Sequence, residues 1–457
     1  MLLYQWFGED ESFCRMVDPD FTDHSCVLHL NSELGGSRRD DRPRTCYNLV
    51  RIILAPCGWF SRAADWMEEP LDGMHRTYLD YAATTPVDER VLAAMLPYLR
   101  ASFGNPSSVH TWGQQAEDAV ERARLEVAAL LHARPEEIAF TACGTESDNL
   151  ALRGVAWAQN KKNCRHILIS PVEHHAVQHT AHQLADLHGF EVEELPVDEY
   201  GRVNPDDVAG AVRADTALVS VIYANNEIGT INPVAEIGKV CRERNVPFHT
   251  DAVQAAAHLP MNVEADHIDL MAIGAHKFYG PKGVGLLYVR RGTPYISMMT
   301  GGKQENGMRA GTQNVPYIAG LAEALRLAQE EAAEWSARLT PLRDHLIGAV
   351  LEEIPRARLT GHPVERLPNH ASFVFEGVDG NLLLQMLDVA GFACSSGSAC
   401  KTGSPQPSEV LTAIGLSRPW ALGSLRVTLG RQTTAEEVQA FLKTLTETVR
   451  RVRALST

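Results

Sequence analysis

The chain has 457 residues, 45% of them hydrophobic and 22% charged, which is the composition of a globular protein with room for two domains. Its net charge of −15 argues against a nucleic-acid partner, and no apolar run approaches the roughly 20 residues that a membrane-spanning helix needs. The early acidic residues do not indicate a secretory signal, and nine cysteines without CxxC pairs indicate reduced thiols. We therefore expect a cytoplasmic protein.

Residues 1–73 lack the hydrophobic periodicity of the rest of the chain, although they hold four of the nine cysteines and three of the seven tryptophans. We interpret them as an N-terminal extension that is dispensable for folding and activity. It is either a poorly ordered tail or a stretch upstream of the start used in the cell, and a small accessory domain is the alternative. Met74 opens the segment with clear patterning.

Short apolar runs then alternate with amphipathic stretches. Strands are predicted at 138–141, 166–170, 217–223, 246–250 and 268–274, and helices at 113–131 and 233–244. Units of roughly 25–30 residues that alternate strand and helix predict a doubly wound α/β sheet. After a predicted long helix at 317–338 the pattern changes, which predicts a smaller α+β domain. We place the large domain at 88–333, and the small domain at 76–87 and 334–457.

Ligands bind beyond the carboxyl ends of the strands in an open α/β sheet, so the polar residues at those ends are site candidates. Gly144 and Thr145 open a helix, where free amides and a hydroxyl favour a phosphate. Asp251 ends an apolar strand, and a buried carboxylate needs a cationic partner such as a protonated ring nitrogen. Lys277 ends the next strand and could bind an aldehyde covalently. Together these groups describe a site for pyridoxal 5′-phosphate (PLP).

Ten motifs in order over some 380 residues give the chain a family resemblance. They are YLDYAATTP (78–86), FGNPSS (103–108), GTESDN (144–149), EHHAV (173–177), NNEIG (225–229), DAVQ (251–254), HKFYGPKG (276–283), GMRAGT (307–312), SSGSAC (395–400) and SLRVTLGR (424–431). On these motifs the chain resembles the cysteine desulfurases, which are PLP enzymes of the class V aminotransferase family. The resemblance implies fold type I, the aspartate aminotransferase-like PLP-dependent transferase fold.

The resemblance also implies a role for each site residue. Lys277 would carry the cofactor, Asp251 would hold the ring nitrogen protonated, Gln254 would bind the ring hydroxyl, and His174 would stack on the ring and shuttle protons. The phosphate would be held by Gly144, Thr145 and His276, with Thr312 entering from the other subunit of a homodimer. Asn226 and Arg426 would bind the substrate L-cysteine, Arg426 through its carboxylate. Lys282 would belong to a turn that re-enters the sheet.

By the same resemblance, Cys400 is the nucleophile that takes the substrate sulfur as a persulfide and passes it to an acceptor protein. Its segment SSGSACKTGSPQPS is small, polar and rich in turn residues, which indicates a mobile loop. Iron–sulfur cluster assembly, transfer RNA thiolation and cofactor synthesis stay open as destinations. Cys394 is interpreted as a strand-end hydrophobe, with a redox or relay role as the alternative.

One departure from the family pattern lies in the predicted phosphate site. The family usually has serine or threonine two residues before the histidine of the HK pair, and this chain has Gly274. The predicted phosphate site therefore lacks one hydroxyl group that the family usually has. The chain also ends at RRVRALST without the extension that many relatives use to dock a scaffold partner, which leaves the sulfur acceptor open.

Some features of the sequence are also compatible with other functions. A stripe of histidines (His174, His175, His179 and His182) is compatible with a zinc hydrolase. No carboxylate in the sequence completes an obvious triad of zinc ligands with them. A catalytically silent sulfur carrier or scaffold would not need Lys277. Selenocysteine lyase and a small-substrate aminotransferase of the same fold are the remaining alternatives, and an aminotransferase would not need Cys400. We predict no metal.

Overall fold

The computed structural model describes residues 76–396 and 406–455 of the chain. The N-terminal extension and Cys400 lie outside the described residues. The strands are β1 (Thr77–Tyr78), β2 (Ile138–Thr141), β3 (His166–Ile169), β4 (Glu191–Glu194), β5 (Thr216–Ser220), β6 (Phe248–Asp251), β7 (Leu270–Gly274), β8 (Gly285–Val289), β9 (Ala357–Leu359), β10 (His370–Phe375), β11 (Phe392–Ala393) and β12 (Ser424–Thr428).

The α-helices of the described residues follow in chain order. They are α1 (Glu89–Arg100), α2 (Thr111–Leu131), α3 (Gly144–Asn160), α4 (His175–His188), α5 (Pro205–Ala211), α6 (Val234–Glu243), α7 (Val315–Glu353), α8 (Gly380–Val389), α9 (Glu409–Ala413), α10 (Arg418–Ala421) and α11 (Ala435–Leu455). None of the helices in the described residues is long and apolar enough to cross a bilayer.

A seven-stranded sheet with strand order β2-β8-β7-β6-β5-β3-β4 forms the centre of the larger part of the fold. Only β8 runs against its neighbours, so the five strands predicted from sequence all point the same way. Successive residues of β3 enter different cores. Leu168 packs with residues of α2 and α7, whereas Ile167 and Ile169 pack with residues of α3 and α4. Helices therefore cover both faces, as predicted for a doubly wound sheet.

A second, antiparallel sheet with strand order β12-β10-β9 has a core of its own. Phe373 of β10 and Phe441 of α11 are fully buried in this core, and Leu79 from the start of the described chain joins them. The strand β1 pairs with β11, which brings residues near 80 to this sheet. The helix α7 contributes Leu325 to the first core and Leu346 to the second. The proposed boundary at residue 333/334 falls within this helix and stays a prediction.

The predicted strands all exist, with shifts of a few residues at their ends. The strand predicted at 217–223 ends at Ser220, because the chain then turns into the loop that carries Asn225 and Asn226. Two strands of the seven-stranded sheet were missed. The edge strand β4 has the sequence EVEE, which shows no apolar signal, and β8 lies directly after the glycine-rich turn that contains Lys282. The long helix was placed at 317–338 and in fact extends to Glu353.

Candidate active site

The loops at one edge of the seven-stranded sheet bring the sequence-predicted residues together. The strands β2, β3, β5, β6 and β7 end there, and the chain turns next into the segments that hold Gly144, His174, Asn226, Asp251 and Lys277. Because the five strands are parallel to one another, their carboxyl ends meet at this edge. The geometry of an α/β ligand site is therefore present at the predicted place.

The start of α3 has the geometry of an anion-binding site. Gly144 is the first residue of this helix, where amides have no intrahelical acceptor and the helix dipole favours a negative charge. A side chain is excluded at Gly144, because a Cβ would lie 2.6 Å from Val253 Cγ2. The end of β7 lies against the same amide, since a Cβ on Gly274 would be 3.4 Å from Gly144 N. Thr145 follows on the exposed side.

Asp251 places a buried carboxylate at the end of β6. It is 5% exposed, and its Oδ1 accepts a hydrogen bond from Val253 N at 2.9 Å. Burial raises the pKa of the carboxyl, while His174, the Val253 amide and Lys277 act in the opposite direction. In the described residues no lysine or arginine forms an ion pair with it. A protonated heteroaromatic nitrogen would supply the missing cation, so this carboxylate fits the ring of PLP.

His174 caps α4 and faces the same cleft. Its Nδ1 accepts a hydrogen bond from Ala176 N at 3.1 Å, which leaves the proton of the neutral ring on Nε2. Ligand atoms of His174, Asp251 and Asp148 all lie within 4.8 Å of one another. Burial lowers the pKa of His174, and the charge of Asp251 raises it. A neutral ring next to the Asp251 carboxylate is placed to donate its Nε2 proton and to take one back at the same atom.

Lys277, and not Lys282, points its amine into the site. The Nζ of Lys277 donates to the carbonyl oxygens of Ala82 at 2.7 Å and Ala83 at 2.8 Å. Burial and, to a smaller extent, the charge of Arg426 together lower the pKa of this amine to about 8. An amine with that pKa has a substantial neutral fraction near pH 7–8, and only the neutral form attacks an aldehyde. Lys282 is exposed.

The segment 80–84 also lines the site. The sequence did not predict the contacts that this segment makes. Gln254 Nε2 donates to Ala82 O at 2.8 Å, the same carbonyl that Lys277 contacts. His276 Nδ1 lies 3.1 Å from Thr84 Oγ1, and burial lowers the pKa of His276 to about 4. His276 is therefore neutral at pH 7 and would bind a phosphate through a hydrogen bond without a charge.

Arg426 enters from the second sheet. Its Nη2 lies 2.8 Å from Asp80 Oδ1, and its Nη1 donates to the backbone carbonyl of Asn226 at 2.9 Å. The sequence missed Asp80, although that residue lies in the first quoted motif. The second oxygen of Asp80 accepts from Ser395 Oγ at 2.7 Å, five residues before Cys400. The site thus joins both sheets.

Two further predictions concern residues away from this cluster. Thr312 is exposed and lines a cavity with Thr141 and Ala142 near the start of α3, and its entry into a second subunit stays a prediction. Of the histidine stripe, His174 lies with Asp148 and Asp251 in a group whose ligand atoms have the spacing of metal ligands. Within 76–396 and 406–455, His175 stacks on His179, and neither belongs to a cluster with the spacing of metal ligands.

Comparison with known proteins agrees with this geometry. A family model described as aminotransferase class-V matches residues 77–441. The chain is 47% identical to a cysteine desulfurase IscS of Methanosarcina thermophila. The 379 aligned residues cover 83% of this chain and 93% of that protein. It is 48% identical to a cysteine desulfurase IscS of Dictyoglomus turgidum, over 83% of this chain and 96% of that protein.

Solved structures give the same result. A structure described as a NifS-like protein superposes with a TM-score of 0.77 at 39% identity, covering 82% of this chain and 100% of that one. DndA from Streptomyces lividans superposes with a TM-score of 0.66 at 38% identity, covering 77% of this chain and 99% of that one. The chain therefore belongs to the class V aminotransferase family and, within it, to the cysteine desulfurases.

Proposed function

We propose that this protein is a PLP-dependent cysteine desulfurase that converts L-cysteine to L-alanine and takes the sulfur onto Cys400 as a persulfide. The observation that carries the proposal is the meeting of a buried carboxylate, a desolvated lysine amine and a helix N-terminus at one sheet edge, with Arg426 opposite. When bound, PLP supplies an electron sink that delocalises negative charge developing on the substrate carbon.

The residues of the chain divide the work between holding the cofactor and handling the substrate. Lys277 would bind the cofactor aldehyde, the first amides of α3 would bind its phosphate, and Asp251 would hold its ring nitrogen protonated. Gln254, Thr145, His276 and, from a second subunit, Thr312 would complete the cofactor site. These roles follow the donor set that surrounds the cleft.

Arg426 and Asn226 would position the substrate. The guanidinium already uses one nitrogen on Asp80 and another on the Asn226 carbonyl, which fixes its plane, and a substrate carboxylate would take its remaining donors. His174 would move the proton between the substrate carbon and its amine side, since its Nε2 carries the exchangeable proton.

The sulfur transfer needs a thiolate, and Cys400 is proposed to supply it. Its Sγ would attack the substrate sulfur, so that an S–S bond forms and the C–S bond breaks. The electron pair of that bond stays with the substrate carbon, which takes a proton to become alanine. The persulfide on Cys400 then passes its outer sulfur to an acceptor protein. Cysteine is the ligand named for a solved relative, SspA in complex with cysteine, which superposes with a TM-score of 0.68 at 36% identity.

The deciding experiment is to incubate the purified protein with L-cysteine and to measure alanine and sulfide with and without a reductant. We expect alanine in both cases, and free sulfide mainly with the reductant, because the reductant releases the persulfide. Selenocysteine lyase is the alternative that this design separates, by repeating the assay with L-selenocysteine. Transfer of the amino group to an added keto acid, with formation of 3-mercaptopyruvate and no release of sulfide, would instead indicate an aminotransferase.

The proposed setting is a cytoplasmic homodimer that serves iron–sulfur cluster assembly or thiolation. Relatives named IscS support a sulfur-delivery role. The exposed position of Thr312 supports a contribution to a second subunit.

A further inference from the structure

Three carboxyl groups are buried together behind the proposed ring site. Asp148 in the first turns of α3 is 1% exposed, Glu173 before α4 is 4% exposed, and Asp251 is 5% exposed. Burial raises the pKa of all three, and the charge of Asp251 raises the pKa of both Asp148 and Glu173. One ring nitrogen can balance only one carboxylate, so the charge of the other two needs a separate explanation.

Hydrogen-bond donors distinguish the three groups. Asp251 accepts from the Val253 amide, and Glu173 Oε1 accepts from Ile222 N at 2.6 Å. No donor in the described residues reaches Asp148 Oδ1, and the second oxygen of Glu173, Oε2, also lacks one. An ionised carboxylate is stabilised by such donors, and a protonated one does not need them.

His249 Nε2 lies 3.5 Å from Asp148 Oδ1. His249 is fully buried, and its Nε2 also lacks a hydrogen-bond partner within the described residues. Its other nitrogen, Nδ1, lies 2.9 Å from Ser220 Oγ. Burial lowers the pKa of His249 to about 3, so the ring is neutral. Ser220 Oγ can accept the ring proton from Nδ1, and in that tautomer Nε2 is a bare acceptor on the side of Asp148.

We propose that Asp148 keeps its proton and donates it to His249 Nε2, so that the two form a neutral positioning pair behind Asp251. This inference rests on the proposed function. Asp148 then adds no negative charge beside Asp251, the carboxylate that faces the ring nitrogen of the cofactor.

If Asp148 and Asp251 were both ionised, Asp251 would be less able to hold the ring nitrogen protonated. Ligand oxygens of Asp148 and Asp251 lie within 4.8 Å of each other. An ionised Asp148 at that separation would raise the pKa of Asp251, just as the charge of Asp251 raises the pKa of Asp148. Asp251 would then compete with the ring nitrogen for its proton. Glu173 and Cys143 also face Asp148 and, as anions, would add to the same repulsion.

The charge of Asp148 can be measured by infrared difference spectroscopy of the holoenzyme at neutral pH. Wild type minus Asp148→Asn should show the carbonyl stretch of a protonated carboxylic acid, shifted in heavy water. A carboxylate stretch in its place would overturn the proposal. If the variant gives too little protein, wild type labelled with ¹³C at its aspartate carboxyl carbons answers the same question, because only a protonated aspartate moves the acid band.

The positioning role has its own readouts, the affinity for PLP and the pH titration of the visible absorbance. Asp148→Asn keeps a donor for His249 and adds no charge, so affinity should stay within about threefold and the titration midpoint within about half a pH unit. Asp148→Ala leaves Nε2 unpaired and should bind PLP more weakly by tenfold or more. A midpoint that moves by about one unit or more in Asp148→Asn would show that the wild-type residue is ionised.

These outcomes separate the inference from the proposed function. If the protein does not bind PLP, no visible absorbance develops in any variant, and the proposed function fails. If it binds PLP but shows no acid band, the function stands and the neutral pair is wrong.

Discussion

Gly274→Ser should tighten PLP binding, because it restores the hydroxyl that the family pattern places in the phosphate site. Gly274 ends β7 with φ −130° and ψ 118°, an extended conformation that any residue adopts. A Cβ there would lie 3.4 Å from Gly144 N and 3.5 Å from Val253 Cγ1, which are ordinary van der Waals contacts. The serine side chain therefore enters without strain, and its hydroxyl extends from a point next to the proposed anion-binding amide.

The size of the gain follows from the charge of the phosphate. A hydrogen bond to a charged group contributes about 1.5–3 kcal/mol, and ordering the serine rotamer offsets part of it. A net gain of about 1–2 kcal/mol lowers the dissociation constant for PLP roughly 5- to 30-fold. The assay is an equilibrium titration of cofactor-free protein with PLP, followed by visible absorbance.

Two glycine variants provide the controls. Gly274→Ala adds the same Cβ without the hydroxyl and should bind PLP like the wild type. Gly144→Ala places a Cβ 2.6 Å from Val253 Cγ2, and this overpacking should cost about 1–3 kcal/mol in stability or cofactor binding. Equal affinities for Gly274→Ser and Gly274→Ala, or weaker binding by both, would refute the placement of the phosphate beside Gly274.

Three further predictions test the catalytic groups. Lys277→Ala should lose covalently bound cofactor and all desulfurase activity, while Lys282→Ala, at an exposed position, should keep both; loss of the bound cofactor only in Lys282→Ala would reverse the assignment. Reconstitution of cofactor-free protein with PLP should accelerate as pH rises through about 8, because the pKa of Lys277 is lowered to about 8 and only the neutral amine reacts; a rate independent of pH from 6 to 9 would contradict this. Cys400→Ser should keep the cofactor and its spectral response to cysteine but release no alanine, and mass spectrometry of the wild type should place the extra sulfur on the peptide with Cys400 rather than Cys394.

The fold was predictable because the two periodicities of the sequence were clear. Apolar runs of four to seven residues between amphipathic stretches identified five strands of the seven-stranded sheet, and the residues after them proved to share one end of the sheet. The edge strand β4 was missed for a physical reason, since three of its four residues are glutamates and none of the four is buried. An edge strand is held by backbone pairing on one side and needs no apolar signal.

The contacts made by backbone atoms could not be predicted. Lys277 donates to two carbonyls of the 82–83 segment, and Arg426 contacts the carbonyl of Asn226. Any residue type supplies a carbonyl, so the sequence carries no trace of these partners. Asp80 was missed because its place in the site depends on the pairing of β1 with β11, a contact between residues over 300 positions apart.

The structure also bears on which thiol accepts sulfur. Cys394 packs against the second core, and burial raises the pKa of its thiol, with Asp80 adding to the effect. A thiol held protonated is a poor nucleophile. Cys241 is buried in the first core with its pKa raised in the same way, and Cys143 uses its Sγ as the N-terminal cap of α3, accepting from Glu146 N at 3.4 Å. Cys394 directly precedes Ser395, which pairs with Arg426. It is nevertheless unsuited to attack, and this supports Cys400, six residues further along the same segment, as the sulfur acceptor.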